Sequence, residues 1–323
     1  MKKLVKGICL LGVVALVATS CNKENTDAKV YRGVNFDERF EVEAANGFEG
    51  ERVYLDDSYK VYFEADDLVM LFNIDDANAA NSEAALYKVT TAGNTPEFAP
   101  YQAEETISDE MMSAKYAFYP GNNVDLTELA NDNRGIFKLE PVQEYREGKI
   151  SQEALYMAAK IDNADNDVFA FRNICGILTL KFYSPTAKTV KSIAITDNSM
   201  SLTGDVTLKV NTVDPAAMIG DFKNICEGNA TVAEIATQYQ DEMGYCVDAS
   251  GNTVTLDCGT GVALGTTAAA ANTFYIVLRP LALMNGFDAV ITFGDNTTKT
   301  ISLSSNNVIK PNTLRVFPAL NVD

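Results

Sequence analysis

The dominant pattern along the chain is an alternation of apolar and polar residues with a period of two. Residues 34–42 show it first: Val34, Phe36, Phe40 and Val42 fall on one face, while charged and amide residues fall mainly on the other. A period of two indicates a half-buried β-strand, because successive side chains of a strand point to opposite faces of the sheet. We therefore predict a strand over residues 34–42.

Similar short runs, alternating or continuously apolar, recur to the end of the chain. Turn residues such as Gly, Pro, Asn and Asp separate most of them. The predicted strands are residues 52–55, 60–64, 68–72, 84–90, 115–119, 135–139, 154–160, 169–171, 176–183, 189–196, 202–210, 253–258, 273–278, 287–293, 299–303 and 314–317. Short helical segments are predicted at residues 106–114, 125–130 and 231–240, and a hairpin turn at 248–252. Many short strands with few helices predict an all-β protein built from β-sandwiches.

A polar segment divides these strands into two groups. Residues 162–167 read DNADND, and such a run predicts a hinge. We place there the boundary between two tandem β-sandwich domains, residues 34–164 and residues 165–323. The same segment partly matches a calcium loop, but Ala164 stands at a ligand position and Asp167 at the place of the required glycine. A solvated turn is the preferred interpretation, and no metal site is predicted.

The first twenty residues have the features of a bacterial lipoprotein signal peptide. Three lysines precede an apolar stretch at residues 8–18, which is too short for a permanent transmembrane helix. Small residues at 18–20 then precede Cys21, as a signal peptidase requires. We predict that Cys21 is the first mature residue and carries lipid, with a diacylglycerol thioether and an acyl chain such as palmitate. The alternative is an ordinary secretory signal followed by a cysteine with no lipid.

Residues 21–33 are predicted to be a polar tether between the lipid and the folded part. The four residues 22–25, NKEN, resemble the export tag that follows the lipidated cysteine in surface lipoproteins of Bacteroidetes. Each buried methylene contributes about 0.8 kcal/mol to membrane binding, so several acyl chains together anchor a protein stably. The predicted location is therefore the outer membrane, with the protein on its outer face.

Composition excludes several classes of function. The chain has 323 residues and a net charge of −18, so it repels phosphate backbones and is not expected to bind nucleic acid. It contains no histidine, which removes Ser-His-Asp triads, Cys-His pairs and imidazole metal sites. We predict no enzymatic activity, no catalytic residue and no cofactor.

Four cysteines remain after the signal peptide and the lipidation site are set aside. Cys175, Cys226, Cys246 and Cys258 match no zinc-binding spacing. An oxidising envelope would permit disulfides, and Cys246 and Cys258 flank the predicted turn. A hairpin centred on residue 250 does not place these two opposite each other, so free buried thiols are the preferred interpretation.

Five blocks, taken in order, are similar to the fimbrillin-like proteins of Bacteroidetes. Together they span most of residues 50–320. The blocks are RVYLDDSYKVYFEADDLVMLFN (52–73), AKYAFYPGN (114–122), FRNICGILTLKF (171–182), KSIAITDNSMSLTGDVTL (191–208) and TFYIVLRPLALMNGFDAVITFGD (273–295). The resemblance implies two tandem transthyretin-like β-sandwich domains and a lipoprotein precursor of a type V pilus subunit or pilus-associated adhesin.

The resemblance also implies a mode of assembly. In that family an arginine-specific protease removes the tether and a first strand, and a strand from another subunit fills the exposed groove. Arg32 and Arg39 are the candidate cleavage sites here, and Arg32 is preferred because Gly33 and the polar tether predict an accessible loop. The expected partners are other pilus subunits, the outer membrane through the lipid, and a ligand on a host or bacterial surface.

The last residues of the sequence are the candidate donor strand. Leu314, Val316, Leu320 and Val322 share one parity, and Pro318 interrupts the pattern in a way that suits a sheet edge. The alternative is a strand that closes the chain's own sandwich. The two interpretations are left open.

An alternative function is a surface lipoprotein that binds glycans for a nutrient-uptake system. It predicts an exposed group of aromatic side chains. The adjacent acids Asp56-Asp57, Asp66-Asp67 and Asp75-Asp76 are not interpreted as a hydrolase site, because neighbouring residues of a strand point to opposite faces. We expect them to be solvated turn acids.

Overall fold

The computed structural model describes residues 30–35, 41–44, 63–101, 113–151, 154–161, 168–197, 201–210, 245–283, 285–303 and 307–323. Most of these residues lie in β-strands, and the α-helix that they contain, α1 (Leu129–Asp132), is a single turn. The predicted all-β class is confirmed. Cys21, Arg39, Cys226, the polar segment 162–167 and the predicted helix at 231–240 lie outside the described residues.

The strands are numbered in chain order. The first eleven are β1 (Tyr31–Asn35), β2 (Glu41–Ala44), β3 (Leu68–Asn73), β4 (Glu83–Thr91), β5 (Glu97–Pro100), β6 (Tyr116–Tyr119), β7 (Val124–Asp125), β8 (Arg134–Leu139), β9 (Val142–Glu144), β10 (Met157–Lys160) and β11 (Val168–Asn173). The others are β12 (Gly176–Tyr183), β13 (Thr189–Asp197), β14 (Thr203–Lys209), β15 (Tyr245–Gly251), β16 (Thr253–Ala263), β17 (Asn272–Leu278), β18 (Leu281–Leu283), β19 (Phe287–Phe293), β20 (Thr298–Leu303), β21 (Asn307–Ile309) and β22 (Thr313–Asn321).

Seven strands close on themselves around the first hydrophobic core. Their order is β1-β11-β10-β6-β3-β4-β5, and β1 completes the ring because it pairs parallel with β11 and antiparallel with β5. Closure leaves none of these strands with a free edge. The interior is rich in aromatic rings, which include Tyr31, Tyr87, Phe98, Phe169 and Phe171.

The second core lies in the later part of the chain. The sheet β17-β12-β22-β2 and the sheet β20-β19-β13-β16-β9 supply most of its side chains, with alternate residues of β12, β13 and β19 pointing inward. Two smaller sheets, β15-β14-β8-β7 and β18-β21, complete the described strands.

Strand pairings cross the predicted domain boundary at residues 164 and 165. The strand β11 follows the boundary but belongs to the closed barrel, while β2 pairs with β22 and β9 pairs with β16. The strand β14 pairs with β8 in the same way. Strands from each part of the sequence therefore complete sheets formed by the other part. The division into two tandem domains stays a prediction.

Two local predictions are wrong. The predicted hairpin at residues 248–252 does not form, because β15 pairs with β14 whereas β16 pairs with β13 and β9. The chain changes sheets at this turn. The predicted strand over residues 34–42 is also divided, with its ends in β1 and β2, which belong to different sheets.

Cys175 and Cys258 are free, buried thiols. The free-thiol interpretation is thus confirmed for these two residues. Burial raises the pKa of each to about 12, so both side chains are neutral near pH 7. Within the described parts of the chain, no helix is both long and apolar enough to cross a bilayer.

Candidate functional site

The strand β1 is the element that joins two edges of the barrel. Tyr31 and Arg32 pair with Phe98 and Glu97 of β5 on one side. On the other side, residues 32–35 pair with residues 168–171 of β11. The N–H of Gly33 also donates a hydrogen bond of 2.8 Å to the carbonyl of Pro96, just before β5. Without β1, the backbone edges of β5 and β11 would both lack a partner.

Tyr31 is the deepest side chain of β1. It is fully buried, and its ring meets those of Tyr87 and Phe169 with centroid distances of 5.7 and 5.4 Å. Its hydroxyl accepts a hydrogen bond of 3.0 Å from the N–H of Ala114. Tyr31 therefore fills an aromatic pocket and satisfies a buried backbone donor.

Arg32 points to the surface. Its Nε lies 3.5 Å from Oε1 of Glu97, and the Arg32 side chain is 69% exposed. Such an exposed ion pair contributes at most about 1 kcal/mol. The sequence predicted an accessible loop here, but Arg32 lies within β1 and its backbone is flanked by strands on both sides. Cleavage at Arg32 stays a prediction, and the backbone of Arg32 is paired within the barrel rather than in a loop.

Gly33 is buried against Phe98. A Cβ atom at residue 33 would lie 2.8 Å from Cζ and 2.9 Å from Cε2 of Phe98. The Phe98 ring cannot move away easily, because it packs against Phe63 and Phe171 with centroid distances of 5.9 and 5.8 Å. The second inward position of β1 is thus restricted to glycine.

Tyr87 contributes a buried hydroxyl that makes no hydrogen bond to any described residue. The residue is fully buried in β4, and burial, together with the neighbouring Tyr31, raises the pKa of its phenol. An unpaired buried hydroxyl costs about 1–3 kcal/mol. No sequence signal indicated this group, because the burial of a tyrosine tip depends on strands distant in sequence.

The candidate donor or closing strand lies inside its own sheet, as β22. It runs between β12 and β2 and is parallel to both. Leu314 and Val316 are buried in the first core, whereas Val322 and the partly buried Leu320 pack in the second. The four residues therefore do not share one face, although they share one parity.

A bulge at Phe317 and Pro318 explains this change of face. Thr179 of β12 is opposite Val316, but Lys181 is opposite Ala319, so two residues of β22 face one residue of β12. The extra residue reverses the parity of the rest of the strand. Proline is accepted at bulges because its missing N–H is not needed there. The pairing of β22 with β2 covers residues 313–316, so at Pro318 the described neighbour is β12 alone, and the predicted sheet edge there stays a prediction beside the observed bulge.

Side chains after β12 and in β20 bind Asp323, which lies just beyond the end of β22. The hydroxyls of Ser184 and Thr186 donate hydrogen bonds of 2.5 and 2.6 Å to Oδ1 of Asp323. These two bonds, that of Ser184 above all, lower the pKa of Asp323 below its ordinary value of 3.8. Nζ of Lys299 donates to the carbonyl of Asp323 at 2.7 Å.

Two of the three acidic pairs lie in described turns. Asp67 accepts a hydrogen bond of 2.8 Å from the N–H of Glu64, and Asp66 forms an ion pair of 3.2 Å with Lys88. Asp75 accepts bonds from the N–H groups of residues 77 and 78, at 2.9 and 3.0 Å. These carboxylates stabilise turns, but Asp67 is half-buried and burial raises its pKa, so it is not a fully solvated turn acid.

The described residues offer little for other chemistry. They contain no group of three or more Cys, Asp or Glu side chains placed to hold a metal ion. Among them, Tyr101 is the one large aromatic residue that is clearly exposed, at 46%. The glycan-binding alternative predicts a group of exposed aromatic rings, and the described residues show one such ring.

Comparison with known proteins gives matches among solved structures. The chain is similar to a candidate cell adhesion protein from Bacteroides uniformis, with 12% identity, 88% of this chain and 94% of that chain covered, and a TM-score of 0.45. A second candidate cell adhesion protein, from Bacteroides ovatus, has 14% identity, 88% and 89% coverage and a TM-score of 0.44. A fimbrial protein from Bacteroides ovatus has 11% identity, 88% and 50% coverage and a TM-score of 0.32.

No protein-family model and no curated protein sequence matches the chain. Identities of 11–14% and TM-scores below 0.5 do not assign a function to this chain.

Proposed function

We propose that this protein is a cell-surface lipoprotein that acts as a pilus subunit or pilus-associated adhesin and joins its neighbours by strand addition. The observation that carries the proposal is the position of β1, a five-residue strand near the start of the folded part that alone connects β5 to β11. Loss of β1 opens one groove with unpaired backbone on both walls and aromatic rings at its base. An extended strand from another chain can pair with the backbone of both walls and cover the aromatic rings.

The geometry favours Arg39 over Arg32 as the cleavage site. Cleavage after Arg32 would remove Tyr31 and Arg32 but leave Gly33 to Asn35 attached to the rest of the chain. Cleavage after Arg39 would free all of β1, because Arg39 lies between β1 and β2 in the sequence. It would also leave β2 paired with β22.

The position of β22 supports a closing role for the last strand. To act as a donor it would have to leave β12 and β2 and expose Leu314, Phe317 and Val322, which are fully buried. Transfer of each such side chain to water costs about 1.5–3 kcal/mol. In this proposal the chain offers an acceptor groove, and the donor strand comes from another subunit.

Lipidation of Cys21 places the groove at the cell surface. The acyl chains hold the protein in the outer membrane while residues 22–30 lead to β1. Cleavage after Arg39 breaks the covalent link between the lipid and the rest of the folded part, and β1 with its lipid is then held only by its pairing with β5 and β11. Departure of β1 after this one cut would thus both activate the groove and free the subunit from its anchor.

An arginine-specific protease and the full-length chain test the proposal. We expect cleavage after Arg39, a new N-terminus at Phe40, and oligomers that appear only after cleavage. Arg39→Lys keeps the charge but removes the protease site, so it should block both events, whereas Arg32→Lys should block neither. N-terminal sequencing and size-exclusion chromatography measure the two outcomes. Full cleavage after Arg39 with β1 released and no binding of any second chain would contradict the proposal.

A further inference from the structure

We propose that the groove selects the strand that replaces β1 through two neighbouring subsites: a hydrogen-bonding side chain must face Tyr87 Oη, and glycine must follow two residues later. This inference rests on the proposed function, since it specifies the partner of the same groove. The partner is thus an extended segment with the sequence pattern polar-x-Gly. Its first and third residues point into the groove, and the middle residue points outward.

The first subsite is the pocket that Tyr31 fills. The Tyr87 ring lines this pocket, and the Tyr87 hydroxyl is fully buried and makes no hydrogen bond to the described residues. Tyr31 contacts the Tyr87 ring edge-on, with 5.7 Å between centroids, but its own hydroxyl binds the N–H of Ala114. The side chain of β1 thus fills the pocket without satisfying the polar group in it.

A different side chain at this position can satisfy Tyr87. A primary amide both donates and accepts hydrogen bonds, so it can pair with a phenol in either orientation. A strand with such a group gains over β1 if it pairs with the Tyr87 hydroxyl and also accepts the hydrogen bond that the N–H of Ala114 donates to Tyr31. An incoming strand whose side chain hydrogen-bonds to the Tyr87 hydroxyl is therefore stabilised by a contact that β1 does not make.

The second subsite is the position of Gly33. Residues at 31 and 33 both point into the barrel because strand side chains alternate. A Cβ at position 33 would come within 2.8 Å of Phe98, whose ring is held by Phe63 and Phe171. Any strand with a side chain at this position must displace packed aromatic rings, so the groove rejects it.

The two subsites have different relations to β1. The strand β1 satisfies the glycine subsite and leaves the Tyr87 subsite unsatisfied. A resident strand with this combination fits well enough to fold the barrel, yet a better-matched strand can replace it. Replacement of β1 by a strand that satisfies both subsites is therefore favoured over the reverse exchange.

A double-mutant cycle in the full-length chain tests the Tyr87 subsite without assembly. Tyr31→Gln and Tyr31→Phe are compared in the parent background and with Tyr87→Phe, and urea unfolding gives the folded-to-unfolded ratio of each. We expect glutamine, relative to phenylalanine, to be at least fivefold more favourable when Tyr87 is present than when it is replaced. Equal ratios in the two backgrounds would overturn the role of Tyr87.

A peptide experiment tests selection itself. The full-length chain is incubated in mild urea with fluorescent peptides based on residues 30–35, and bound label is measured after gel filtration. The peptide with Gln in place of Tyr31 should bind at least fivefold better than the peptide with Phe, and Tyr87→Phe should abolish the difference. Ala in place of Gly33 should reduce binding at least tenfold. Equal binding of all peptides overturns the inference, whereas binding of none contradicts strand addition itself and leaves the unfolding cycle to decide the role of Tyr87.

Discussion

The side chain of Gln143 pairs with the backbone of Val277 as a neighbouring strand would. Its Nε2 donates a hydrogen bond of 2.7 Å to the Val277 carbonyl, and its Oε1 accepts one of 2.9 Å from the Val277 N–H. Val277 belongs to β17, the edge strand of its sheet, and Gln143 is buried. The amide therefore covers part of an edge that could otherwise accept a foreign strand. In the proposed assembly, this contact disfavours strand addition at β17.

Replacing this amide should weaken the fold and expose the edge. In Gln143→Leu, the N–H and carbonyl of Val277 lose their partners, and each unsatisfied buried group costs about 1–3 kcal/mol. We expect a lower free energy of unfolding in urea and concentration-dependent self-association by light scattering. Glu144→Leu, at the exposed neighbouring position, is the matched control and should do neither. A variant as stable and as monomeric as the parent would show that Gln143 does not protect the edge.

Gly33→Ala should destabilise the full-length chain through its contact with Phe98. Overpacking of a rigid core typically costs about 1–3 kcal/mol. Gly294→Ala is the control, because a Cβ there would lie 3.5 Å from Thr189, an ordinary contact distance. Urea unfolding curves of the two variants measure the difference. If both variants had the same midpoint, the glycine subsite would not be restrictive.

The carboxylate of Asp323 should make stability depend on pH. Its pKa is lowered in the folded protein by the hydroxyls of Ser184 and Thr186, so the unfolded chain binds its proton more readily. The stabilisation is complete above the ordinary pKa of 3.8 and is lost as the pH falls through the lower folded value. The stability difference between the parent and Asp323→Asn should therefore shrink below about pH 4. Asp205→Asn, on an exposed residue of β14, is the control, and a difference equal at pH 7 and pH 3 would contradict the assignment.

Cys175 and Cys258 should resist alkylation in the folded protein. Burial raises the pKa of both thiols to about 12, and the thiolate is the reactive form. Iodoacetamide at pH 8, followed by peptide mass mapping, should modify these two residues only after denaturation. Labelling of either residue at the denatured rate under native conditions would show that it is accessible.

Local patterns predicted most strands but not their partners. The continuous apolar run of β3 and the alternation in β19 were sufficient to predict both strands. The strand β5 was missed because it ends in Pro100, and β9 because it has three residues and follows Pro141. Short strands of this kind are specified by neighbours that are distant in sequence.

The candidate site was predictable only in part. The sequence indicated an early strand and the two arginines, but not that β1 lies between β5 and β11 or that Arg32 lies within it. The orphaned hydroxyl of Tyr87 and the contact of Gly33 with Phe98 depend on how the barrel closes. A period of two does not reveal bulges either, so the parity of β22 was misleading after Pro318.

The most direct test of the account is a disulfide that holds β1 in the barrel. Arg32 and Glu97 are paired across β1 and β5, and their side chains are exposed and half-exposed respectively, so Arg32→Cys combined with Glu97→Cys can form a reversible link. Arg39 stays available to the protease in this variant. After cleavage, we predict no oligomers while the link is oxidised and normal oligomers once it is reduced, as measured by size-exclusion chromatography. Equal assembly of the oxidised and reduced forms would contradict the claim that β1 must leave its groove.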